Sequence, residues 1–182
     1  EDEQEIKNRL GFVYDENCYY DELTAYEMKK VVSRFYRYWD DRLFSRYLKD
    51  FALPGDKKIK ELSKGMKMKF SLAVALSHNA QLLIMDEPTS GLDPVIRREL
   101  LDILSETIQD EKKGVFFSTH ITSDLDKTAD FITFIDDGKI VFSDSRDDIM
   151  DNYGLVKGDK ELLDGETGKM FIGIKENSFG FE

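Results

Sequence analysis

The sequence predicts an α/β protein: a largely parallel sheet core, an all-helical section set into it and a hairpin toward the C-terminus. Three observations carry this reading. "LLIM" (82–85) and "GVFFSTH" (114–120) are short apolar runs of the kind that form buried parallel strands, and a long amphipathic helix pattern separates them. Residues 25–78 hold helix patterns and no strand pattern. "FITFIDDGKIVF" (131–142) alternates around Asp137-Gly138, a pair suited to a tight hairpin turn. Strand, helix, strand, helix, strand is the order of an α/β domain.

Taken in order, the acidic start "EDEQEIKNR" precedes "GFVYDEN" (11–17), a short strand running into a polar loop. Thr24 followed by Glu27 is a capping box, and it opens a helix pattern reaching toward Trp39. A second helix over 39–53 takes Asp40 or Asp41 as its cap. The aromatic residues of this region are assigned to a small core, with Phe35, Trp39, Phe44 and Leu48 inside. "PGDKK" (54–58) is a loop. Ser63 caps a third helix, whose positions Met66, Phe70, Ala73, Val74 and Leu76 follow helical spacing. Beyond "LLIM" come a helix over 95–112, the strand ending in His120 and a short helix within 122–130. From 151 onward the chain is glycine-rich, with one strand pattern, "MFIGIK" (170–175).

Composition narrows the function. With 182 residues, 41% hydrophobic and 35% charged, the chain has enough material for one domain with a core and a small appendage. No apolar run approaches the roughly 20 residues that span a bilayer, and a single cysteine, Cys18, fits a reducing compartment. The expected location is the cytoplasm. A net charge of −11 argues against nucleic acid as a partner. Lys57, Lys58, Lys60, Lys64, Lys67 and Lys69 nonetheless crowd one region, as either a solvated face or a binding patch.

The chemistry concentrates in "QLLIMDEPTSGLD" (81–93). A strand ending in Asp86 and Glu87 places two carboxylates at the carboxyl edge of a parallel sheet, where open α/β sheets bind ligands. Asp86 suits water-mediated magnesium coordination, and Glu87 suits orientation or deprotonation of an attacking water. His120 closes the next strand and belongs at the same edge. Upstream, "LSKGM" (62–66) puts a serine cap and a glycine at a helix N-terminus, with free amides for an anion.

Together these residues resemble the ATP-binding cassette ATPases, the motor subunits of ABC transporters, from about residue 10 to 145. "LSKGM" resembles the signature motif, "LLIMDEP" the Walker B strand with the catalytic glutamate, "SGLD" the D-loop and "STH" the switch-histidine strand. The resemblance implies a partial P-loop NTPase fold: a Q-loop strand region (1–24), a helical signature subdomain (25–78), an α/β core (79–150) and a small C-terminal extension (151–182). It implies MgATP as substrate with cofactor magnesium, and Glu87 and His120 as catalytic residues. Asp86 and Asp15 would serve the metal, and Ser63, Lys64, Gly65, Met66, Asp15, Ser90 and Asp93 would contact nucleotide or link two sites. The implied partners are a second ATP-binding subunit, identical or different, in a head-to-tail dimer, and a separate membrane subunit at the inner face of the cell membrane. The variants resemble the bacterial exporter branch. A non-transport ABC ATPase and a catalytically dead interaction module are the alternatives.

Departures qualify the resemblance. Lys64 and Met66 replace the second glycine and the terminal glutamine of the signature, so that Lys64 either adds charge near a phosphate or points to water. Asp15 or Glu16 stands where the Q-loop commonly has glutamine. The phosphate-binding pattern G-x-x-x-x-G-K-[ST] occurs nowhere in the sequence; Gly165 and Gly168-Lys169 come nearest, with wrong spacing. The chain therefore reads as a fragment that is inactive alone, with exposed apolar surface that favours self-association.

Overall fold

The computed structural model describes residues 3–154, 156–163, 165, 168, 171, 174–176, 178 and 180–181. The chain forms two units, Glu1–Thr128 and Ala129–Glu182. In the first, α1 (Glu3–Arg9) runs directly into β1 (Leu10–Val13). The sequence reading assigns no helix here, because almost every residue of α1 is polar. Its organisation comes from charge and one buried amide. Glu3 pairs with Lys7 at 2.6 Å, and Asn8, 2% exposed, donates to the Gln4 carbonyl and accepts the Arg37 amide N–H.

The helical section follows. α2 (Ala25–Val32) begins with the Thr24–Glu27 capping box. It stops sooner than its pattern suggests, tightening into a 3-10 turn, Ser33–Phe35. Tyr36 is extended, its ring stacked 3.7 Å from that of His78, and Arg37 is held by Asn8. These tertiary contacts override the helical pattern and turn Phe35 out of the expected core to 69% exposure. α3 (Asp41–Asp50) is capped by Asp40, which accepts the N–H groups of Arg42 and Leu43. α4 (Lys64–Leu76) starts at Ser63, whose hydroxyl accepts the Met66 N–H. Every residue from Met68 to Leu76 is buried. Phe70 meets Tyr19 and Phe44 edge-on, at 5.0 and 6.2 Å between ring centres, so α4 is the central element of the core.

β2 (Leu82–Asp86) and β3 (Gly114–Ser118), joined through α5 (Pro94–Thr107), complete a parallel sheet of order β1-β2-β3 among the described residues. The expected α/β fold with a parallel core is present. The register aligns Val13 with Met85 and Phe117, and Phe12 with Ile84 and Phe116. Val13, Leu83 and Met85 join Phe70, Leu100 and Leu104 in one apolar cluster. The opposite face is open, with Phe12 at 41% and Phe116 at 66% exposure. The run "GVFFSTH" is therefore not the fully buried strand its composition suggests: alternation sends Phe116 to the uncovered face. After β3, a 3-10 turn, Thr122–Asp124, leads into α6 (Leu125–Thr128).

The second unit is built on the antiparallel hairpin of β4 (Phe131–Asp136) and β5 (Lys139–Ser145). Asp137 and Gly138 both take positive φ, 45° and 72°, as a type I′ turn requires. Phe134 stacks on Phe142 across the strands. α7 (Arg146–Asn152) follows, capped by Ser145. The strand expected at 170–175 lies outside the described residues. Among the described residues no helix is long and apolar enough to cross a membrane.

Candidate functional site

β2 and β3 end side by side, with Asp86 in register with Ser118. The Ser118 hydroxyl donates to Asp86 Oδ1 at 2.7 Å and accepts the Glu87 N–H at 3.1 Å. One serine therefore orients both the last residue of β2 and the first residue beyond it. Glu87 adopts a left-handed backbone, φ 45°, a conformation that costs a non-glycine residue on the order of 1–3 kcal/mol. The sharp turn accompanies a contact with the segment just past β3, where the expected strand has already ended at Ser118: His120 Nδ1 lies 2.8 Å from Glu87 Oε2. A carboxylate only accepts, so Nδ1 carries the proton in this pair. The glutamate side chain is 27% exposed and the histidine 69%, leaving the imidazole open to a ligand.

Just past this pair lies a buried network that motif reading missed. Asp124, 1% exposed, accepts the Thr89 hydroxyl at 2.6 Å and Arg97 Nε at 2.6 Å. Arg97 also donates to the Ser123 hydroxyl. A threonine, an aspartate and an arginine at separations of 27 and 35 residues leave no local pattern.

The other candidate residues form a second group around the start of α4. Lys64 Nζ is 2.7 Å from Asp15 Oδ1. Its partner is thus a residue of the loop after β1, an arrangement absent from both expectations for this lysine. An open groove of about 550 Å³ runs there, lined by Asp15, Glu16, Lys64 and Lys67 among others. Gly65 is buried, and a Cβ there would stand 2.6 Å from Ile96 Cγ2. Met66 is half-buried. Ser90 donates its N–H to the Glu87 carbonyl, and Asp93 caps α5 by accepting from Val95 and Ile96 N–H. The candidate residues therefore fall into two contacts, Asp86–Glu87–His120 and Asp15–Lys64, while Ser63 and Asp93 begin helices.

Lys58, Lys60, Lys64, Lys67 and Lys69 of the lysine run each have an acidic partner. Lys60 and Lys58 flank Glu22 and hold its carboxyl at about 2. Lys67 lies 3.9 Å from Asp21 and Lys69 2.6 Å from Glu99. Among the described residues no three His, Cys, Asp or Glu side chains gather as a metal cage. A single carboxylate at a sheet edge fits magnesium, which keeps several waters and binds through one or two carboxylates plus substrate phosphates.

Residues 12–125 match the family described as "AAA domain, putative AbiEii toxin, Type IV TA system". The lantibiotic transport ATP-binding protein SrtF of Streptococcus pyogenes is 35% identical over 140 residues, covering 76% of this chain and 61% of that protein. The bacitracin transport ATP-binding protein BcrA of Bacillus licheniformis is 29% identical over 140 residues, 76% of this chain and 46% of the relative. The chain thus spans about half to three fifths of these relatives. Among solved structures, an ATP-binding subunit of an ABC transporter superposes with a TM-score of 0.69 at 26% identity, covering 81% of this chain and 63% of that one. A dimeric, post-hydrolysis ATP-binding cassette bound to ADP and Pi shares the fold, with a TM-score of 0.67 at 22% identity over 80% of this chain and 68% of that one.

Proposed function

The chain belongs to the ATP-binding cassette ATPases, and on that premise we propose that it supplies the hydrolytic edge of a transporter's motor subunit. The observation that carries this reading is the 2.8 Å contact between Glu87 and His120 beside Asp86, at the carboxyl end of a parallel sheet. In the proposed reaction Glu87 accepts a proton from the water attacking the γ-phosphate. His120 is tethered to Glu87 through Nδ1 and holds the geometry of that water. Asp86 and Asp15 are the carboxylates that would hold magnesium. A magnesium ion bound there would supply positive charge against the charge developing on the phosphate.

The start of α4, Ser63 to Met66, faces the nucleotide of a second subunit in this scheme, with Ser90 and Asp93 linking the two sites. The head-to-tail dimer, the separate membrane subunit, the export direction and a place at the inner face of the cell membrane are part of the same proposal, and the relatives' names support a part in transport. The apolar row Phe12–Ile84–Phe116, exposed at both ends and half-buried at Ile84, supports self-association of this chain.

The 182 residues contain no G-x-x-x-x-G-K-[ST] loop. A helix N-terminus contributes ~0.3–1 kcal/mol toward an anion, or ~2 when partly buried, whereas millimolar affinity needs about 4 kcal/mol. We therefore expect no measurable MgATP binding or hydrolysis by this chain alone. Calorimetric titration with MgATP should give no saturable heat, and micromolar affinity would contradict the reading.

A further inference from the structure

We propose that Asp124, acting through Thr89 and braced by Arg97, is a positioning residue that holds the Glu87–His120 pair in its hydrogen-bonded geometry. The inference rests on the functional reading above for its purpose, though not for its test. The segments leaving β2 and β3 are joined by successive cross-ties. Ser118 binds Asp86 Oδ1 and the Glu87 N–H, His120 binds Glu87, and Asp124 binds Thr89. The exposed pair is thus bracketed, by Ser118 on the strand side and by Thr89–Asp124 on the far side.

The inner bracket is fixed by strand register. The outer one lies beyond the sheet, so side chains must supply it. Both its members are 1% exposed. Asp124 is anchored in turn by Arg97 from α5, and its own carbonyl accepts the Thr128 hydroxyl. The left-handed backbone at Glu87 makes the bracket necessary. A residue at φ 45° sits above its relaxed conformation and reverts unless the chain on both sides is held. Thr89 is the first buried polar anchor after that turn. With it released, Glu87 relaxes and Oε2 leaves His120 Nδ1. The imidazole then takes the Nε2–H form favoured without a partner, and the proton leaves the nitrogen that faced Glu87.

The test reads the His120 tautomer directly, on the nucleotide-free 182-residue chain at slightly alkaline pH. Two-bond ¹H–¹⁵N NMR spectra are collected, with the His120 signals assigned by their loss in His120→Gln. The wild-type chain is expected to show His120 protonated at Nδ1. Thr89→Val removes only the hydroxyl and should move the protonated-nitrogen signal to Nε2, while amide signals of β2 and β3 stay in place. Thr89→Ser keeps the hydroxyl and should restore the Nδ1–H signature. A Thr89→Val chain that loses stability yet keeps the wild-type tautomer would overturn the proposal, as would a wild-type chain already in the Nε2–H form.

Should Thr89→Val not fold, the triple variant Thr89→Val, Arg97→Met, Asp124→Leu replaces it. That variant leaves no member of the network buried and unpaired, and the same two outcomes decide. ATP turnover does not enter this readout, so a failure of the ATPase reading and a failure of the positioning role are separable.

Discussion

Both ring nitrogens of His78 face backbone carbonyls: Nδ1 lies 3.2 Å from Val74 O and Nε2 3.0 Å from Leu10 O. The residue is 1% exposed, and burial pushes its pKa below 6.5, with the two carbonyls opposing that shift. The unfolded chain therefore takes up the proton more readily than the folded one. Stability from this group is complete above about pH 6.5 and is lost as the pH falls below it. Thermal melts should show the midpoint dropping between about pH 7.5 and 5.5, and His78→Gln should flatten that part of the profile. By sequence His78 is an ordinary helix-end residue, since its partner Leu10 lies 68 positions away. Glu87, Asp86 and His120 were legible because strand patterns fix which residues reach a sheet edge. Asp124 and Arg97 were not, because a buried ion pair between distant segments resembles any two surface charges.

At the scale of elements, α4 shows what local pattern can and cannot say. Its serine cap, helical spacing and start at residue 64 all follow from short-range rules. The identity of Gly65 does not. The missing side chain there makes room for Ile96 of α5, whose Cγ2 would lie 2.6 Å from an added Cβ. Gly65→Ala should accordingly destabilise the unit by about 1–3 kcal/mol, the usual range for overpacking. Adding Ile96→Ala should recover part of that loss in denaturant titrations. An equal loss in the single and double variants would show that the crowding lies elsewhere. The Lys64–Asp15 pair likewise spans 49 residues and joins two departures from the family motifs that could only be read separately. The early end of α2 belongs with these: contacts of Tyr36 and Arg37 to His78 and Asn8 decide it.

At the scale of the molecule, the α/β class was legible because short apolar runs and a period-3.6 pattern alternate between residues 79 and 120. The uncovered face of the sheet was legible only through the missing phosphate-binding loop, since an apolar strand by itself reads the same whether one face or both are packed. The architecture brings one carboxylate pair and one histidine to the sheet edge, and the sequence holds no G-x-x-x-x-G-K-[ST] pattern. The account therefore turns on whether Glu87 performs proton transfer once the phosphates are held. The direct measurement is steady-state MgATP turnover by a polypeptide in which a G-x-x-x-x-G-K-[ST] loop segment precedes this chain, compared with its Glu87→Gln variant. The account predicts that nucleotide affinity is unchanged and kcat falls by ~10²–10⁴, the range for loss of a general base. Undiminished turnover in the variant would contradict it.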